Sequence, residues 1–70
     1  MQITIQYDRG GDDYNTEDFE LHNEELQTFL TCNGIGYNGS YYSIKSKIFE
    51  FLDNEFALTV IAKQDISVTF

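Results

Sequence analysis

Seventy residues carry twelve acids against four bases, a net charge of −8. One domain of this size buries only about 60% of its unfolded surface, so it has a small core. It repels phosphate, which argues against direct nucleic-acid binding. Attraction to basic protein surfaces, including those that normally hold nucleic acid, is the positive corollary. No apolar run approaches the ~20 residues of a membrane-spanning helix. No signal peptide is expected either, because a strand-like alternation begins at once with Met1-Gln2-Ile3. The single cysteine, Cys32, suits a reducing compartment, and the expected location is the cytoplasm.

Along Met1–Asp8, Ile3, Ile5 and Tyr7 alternate with Gln2, Thr4 and Gln6, the pattern of a half-buried strand. Arg9 to Thr16 reads as loop, because Gly10, Gly11 and the acids defeat both periodicities. Glu17–His22 spaces Phe19 and Leu21 as a short second strand. Asn23 is a candidate helix N-cap, with Glu24 and Glu25 in the first turn where acids complement the positive helix end. Leu26, Phe29 and Leu30 form one apolar stripe, and Asn33-Gly34 offers a left-handed stop. The spacing thus predicts a short helix over residues 23–33.

From Ile35 to Ala62 the chain reads as two consecutive hairpins sharing a long middle strand. Asn38-Gly39 has the residues a mirror-image two-residue turn requires, placing Tyr37 opposite Ser40 and Ile35 opposite Tyr42. With Asp53-Asn54 as the second turn, Phe51 pairs with Phe56 and Phe49 with Leu58. The apolar phase changes between Ile44 and Phe49, which predicts a β-bulge near Lys47-Ile48 and brings Ile48 opposite Val60. Ile66, Val68 and Phe70 alternate as a last strand, placed beside the first. The expected class is α+β: a strongly bent antiparallel sheet built on the hairpins of 35–62, with one short helix on one face. A β-grasp-like or small-barrel arrangement fits this element order.

The most conspicuous polar feature is an acidic run: Asp8, Asp12, Asp13, Glu17, Asp18, Glu20, Glu24 and Glu25, opposed by Arg9 alone. Asp13, Asn15, Glu17 and Glu24 fall at the first, third, fifth and twelfth positions of a calcium loop. Asp18 stands at the sixth, where the sharp turn demands glycine, so no metal is assigned. The run instead suits a row of negative charge that steers association with basic partners. Plain solubility is the competing explanation. His22 and Cys32 fall at opposite ends of the predicted helix, roughly 15 Å apart at 1.5 Å per residue, which excludes a direct nucleophile–base pair. Gly34-Ile35-Gly36 lacks the third glycine and the following helix of a phosphate loop. Asn38-Gly39-Ser40 matches a glycosylation acceptor, but the turn accounts for it. No catalytic residue and no cofactor are assigned.

Tyr14 lies within the acidic run, and Tyr41 points away from the Tyr42 face. Exposed tyrosines beside acids make good recognition surfaces, since the ring is large and its tip forms hydrogen bonds. The candidate partner-binding set is Asp12, Asp13, Tyr14, Glu17, Asp18, Glu20 and Tyr41.

The stretch Tyr41–Ala62, Y-Y-S-I-K-S-K-I-F-E-F-L-D-N-E-F-A-L-T-V-I-A, resembles strand pairs of many small phage and prophage proteins. Size, acidity and the lack of enzymatic motifs are similar to phage-encoded inhibitors of host systems, anti-CRISPRs among them. That resemblance implies a host protein complex with a basic nucleic-acid channel as the partner. It covers about a third of the chain and carries no site residue across. The rival expectation is a structural or assembly protein that forms a homodimer through a sheet edge.

Overall fold

The computed structural model describes residues 1–67. Five strands and one helix follow in the order β1 (Gln2–Gly10), β2 (Asp13–Glu20), α1 (Asn23–Thr31), β3 (Gly34–Tyr37), β4 (Ser40–Leu52) and β5 (Glu55–Gln64). They form a single sheet in the order β2-β1-β5-β4-β3, curled into a half-barrel. The α+β expectation holds, but the sheet is mixed rather than antiparallel. Its centre is a parallel pair, β1 with β5, in which Ile3, Ile5 and Tyr7 lie beside Leu58, Val60 and Ala62. These six residues and Tyr42 are the buried core. A strand buried on one face carries its apolar residues at every second position, and both central strands do so.

Both hairpin turns form as their residues dictate. Asn38 and Gly39 have φ of 50° and 77°, Asp53 and Asn54 of 52° and 64°. Positive φ at both central positions matches the right-handed twist of the flanking strands. Tyr37 opposes Ser40, Ile35 opposes Tyr42, Phe51 opposes Phe56 and Phe49 opposes Leu58, as the turns require. A bulge does interrupt β4, but it falls between Ile44 and Ser46 rather than at Lys47-Ile48. Lys47 therefore meets Val60, and Ile48 meets Thr59. The bulge sits where β3 ends, since β3 reaches along β4 only from Ser40 to Ser43.

The expected loop from Arg9 to Thr16 is a correction. Gly10 (φ 106°) and Gly11 (φ 58°) only turn the chain, and β2 starts at Asp13. Backbone pairing with β1 outweighs the low strand propensity of its acids. Arg9 helps by donating two hydrogen bonds to the Asp13 carboxylate, 2.9 and 3.1 Å. That fork raises the Arg9 pKa and holds Asp13 below the usual carboxylate range.

Neither predicted helix signal serves as a cap. His22 occupies the N-cap position without a side-chain bond, while Asn23 adopts φ 55° to swing the chain from β2 into α1. Asparagine tolerates that left-handed conformation better than most residues. At the other end Cys32 is extended, its N–H donating to Thr28 O and Phe29 O, and no left-handed stop occurs at Asn33-Gly34. Gly34 is needed for a different reason: a Cβ there would overlap the Tyr41 ring lying across it.

The last turn of α1 contains no base. Lys47 supplies one from β4, its Nζ donating to Leu30 O at 2.7 Å and Cys32 O at 3.3 Å. A cation at the negative helix end is worth about 0.3–1 kcal/mol. Lys47→Met is therefore expected to lower the Tm by several degrees in thermal circular dichroism, and Lys47→Arg to preserve it. Equal melting of Lys47→Met and the parent chain would show that the cap contributes nothing.

The expected C-terminal strand is not seen at its start. Ile66 lies in a turn, 90% exposed, and Ser67 donates to the Asp65 carboxylate, which lies below its ordinary pKa for that reason. Val68 and Phe70 lie outside the described residues.

Candidate functional site

Because β2 is a strand, the acidic run is divided by alternation. In an antiparallel pair, directly opposed residues share a face. Glu17 opposes Ile5, and Asn15 opposes Tyr7, so both belong to the concave face that holds the helix. Asp18 opposes Thr4, Glu20 opposes Gln2, and Tyr14 opposes Asp8, so these project from the convex face. Thr4 Oγ1 donates to Asp18 Oδ1 at 2.6 Å, fixing that carboxylate outward. Asp12 lies in the turn at the hairpin tip, and Asp13 is held by Arg9. Tyr41 also projects from the convex face, but on β4, three strands away from β2, and is half-buried against Gly34.

The structure thus brings Tyr14, Asp18 and Glu20 together with Asp8. It separates Glu17, Asp12 and Tyr41 from them. Side chains on one face of a strand recur about every 6.8 Å, so the row Tyr14, Thr16, Asp18, Glu20 is evenly spaced. Tyr14 is 57% exposed, and the strand is an edge of the sheet. Glu20 has His22 as a neighbour, Nε2 to Oε2 3.2 Å. The sequence signal that would have separated the two sets is simply parity, once β2 is read as a strand from Asp13.

Glu17 has a different task. Tyr37 on β3 donates its hydroxyl to the Glu17 carboxylate and accepts from Asn15 Nδ2 at 3.4 Å. Edge strands β2 and β3 are thereby joined across the mouth of the half-barrel by side chains instead of backbone. Beneath the bridge, the Tyr7 ring stacks on Tyr37, centroids 4.0 Å apart and planes 11° apart, and Tyr42 meets Tyr7 edge-on at 5.1 Å. Burial, followed by the negative charge of Glu17, pushes the Tyr7 pKa up to about 12. Bonding to Glu17 raises Tyr37. Sequence reading missed this cluster, since it joins residues 7, 17, 37 and 42 from four strands.

Below the bridge a cleft of about 580 Å³ opens between the helix and the edge strands, lined by Ile5, Phe19, Phe29 and Ile35 with Glu24 and Glu25 at its rim. Cys32 borders it, its thiol donating to Phe29 O at 3.0 Å, whereas His22 lies on a separate shallow cleft at the helix start. The two are not partners. Of the positions that matched a calcium loop, Asp13, Asn15 and Glu17 lie on β2 and Glu24 on α1, and the Asp13 and Glu17 carboxylates are bonded to Arg9 and Tyr37. No helix among the described residues is long and apolar enough to cross a membrane.

By fold and site the chain is an α+β half-barrel with an acidic edge strand. Comparison with protein-family models, curated proteins and solved structures finds no match.

Proposed function

We propose that the chain is a non-enzymatic protein-binding module that places the convex face of β1–β2 on a basic surface. The observation that carries this reading is the outward row of Tyr14, Thr16, Asp18 and Glu20, with Asp8 beside it, on an edge strand of a molecule with net charge −8. A basic groove built for nucleic acid is the complementary surface, and a phage-type inhibitor of a host complex, anti-CRISPR-like, is the role that fits. Such a partner places the module in the host cytoplasm. Charge complementarity of this kind accelerates encounter and selects partners more than it sets final affinity.

The test is displacement of DNA or RNA from basic nucleic-acid-binding complexes, CRISPR effectors included, followed by mobility shift. The parent chain is expected to displace the nucleic acid, and the variant Tyr14→Ala/Asp18→Asn/Glu20→Gln to lose at least about tenfold in potency, ~1.4 kcal/mol. Potency should also fall as salt rises toward a Debye length of ~8 Å and below. Equal potency of parent and variant, with circular dichroism unchanged, would remove this face from the function.

A further inference from the structure

A second surface is marked by three phenylalanines that stand exposed among the described residues. Phe49, Phe51 and Phe56 are 56%, 59% and 60% exposed, on the same concave face of the β4–β5 hairpin as buried Leu58. The helix ends beside Lys47, and these rings lie past it. Phe51 and Phe56 pack on each other at 4.9 Å. The neighbouring backbone is equally unpartnered: among the described residues, β3 bonds to β4 no further than Ser43, leaving Ser46–Leu52 paired on the β5 side only. A long apolar edge with open backbone groups is a template for another strand.

From this geometry we infer that the Ser46–Leu52 edge of β4 pairs antiparallel with the same edge of a second copy. The charge distribution selects this occupant. The molecule is strongly acidic, yet Ser46–Leu52 holds one Lys and one Glu and is neutral. An isologous dyad at Phe49 sets Phe49 against itself, Lys47 against Phe51 and Ile48 against Glu50. No like charges face one another, which directly opposed positions would penalise. The acidic β2 edges point away at the far ends of a continuous ten-stranded sheet. The exposed parts of Phe49 and Phe51, the two rings on the pairing strand, amount to roughly 230 Å² per copy, or roughly 460 Å² over a pair. With the paired backbones this stays below a standard interface of about 1,600 Å², so the dimer is a weak one that forms at high concentration.

Sedimentation equilibrium of the full chain tests the inference, with salt as a second variable. The expected result is a dimer at high concentration that salt strengthens, since screening relieves the repulsion of two −8 molecules. Salt therefore acts on self-association in the opposite sense to its effect on a basic partner, so the two readings fail separately. Phe49→Glu, which sets two carboxylates on the dyad, should return a folded monomer. In a Cys32→Ser background, Phe49→Cys should form an intermolecular disulfide on mild oxidation under native conditions and not in denaturant. A chain that stays monomeric at all concentrations and salts, or an edge seen occupied only by a foreign strand, overturns the proposal. So does a Phe49→Cys chain that cross-links no faster folded than unfolded.

Discussion

Leu58→Ala is expected to leave the chain largely unfolded at ordinary temperatures. Leu58 is fully buried, beside Ile3 on one neighbouring strand and opposite Phe49 on the other. Truncating a buried leucine costs about 2–5 kcal/mol, depending on how far the cavity collapses. Globular domains hold roughly 0.05–0.15 kcal/mol per residue, so this chain has about 3.5–10 kcal/mol in all. Among the described residues the core consists of seven buried side chains, and Cys32 is free. A loss of that size consumes most of the margin, and the Tm should fall by more than about 10 °C. Phe51→Ala on the same face is the control. Its ring is more than half exposed, and its melting point should move by only a few degrees. Similar melting of the two variants would mean that the β1–β5 layer is not the seat of stability.

Alkali is the second strong perturbation. In an unfolded chain tyrosine ionises near 10. In the fold, burial and Glu17 push Tyr7 up to about 12, and the bond to Glu17 raises Tyr37 as well. A folded-state pKa above the unfolded one means that the neutral phenols contribute stability in full below pH ~10. The contribution is lost as pH climbs from there toward ~12. Tyrosinate absorbance of this cluster should appear together with loss of the sheet signal in circular dichroism. Tyr7→Phe should move the alkaline midpoint upward. Five tyrosines titrating near 10 in a chain whose sheet signal persists would contradict the described packing.

What the sequence made legible was local. Alternation at Ile3, Ile5 and Tyr7 and the two mirror-image turns gave β1, both turns and the pairings nearest them, because each rests on neighbours within a dozen residues. The apolar phase change misplaced the bulge and the register beyond Phe49. Only the second half of β2 was legible as strand, and its first half was hidden because Asp13 to Thr16 are without an apolar residue facing the core. The parallel β1–β5 pair was hidden because nothing short-range marks a partner more than fifty residues away. The pairing of Phe49, Phe51 and Phe56 was legible, yet pairing says nothing about which layer lies above a face. The acidic run was legible as charge and not as a surface. Loop residues can converge, whereas strand residues must part by parity, and this separates Glu17 from Asp18 and Glu20. Asn23 and Gly34 carried genuine backbone signals. One proved to be a bend and the other a seat for an aromatic ring.

The parallel pairing at the heart of the sheet also dictates timing. β5, the strand that completes the core, emerges after every other element, so during synthesis the first hairpin and the helix wait with their apolar faces uncovered. Closing so long a loop is slow compared with forming any single hairpin. A nascent chain halted before Glu55 therefore has two separate halves and no interior, and assembly waits for β5.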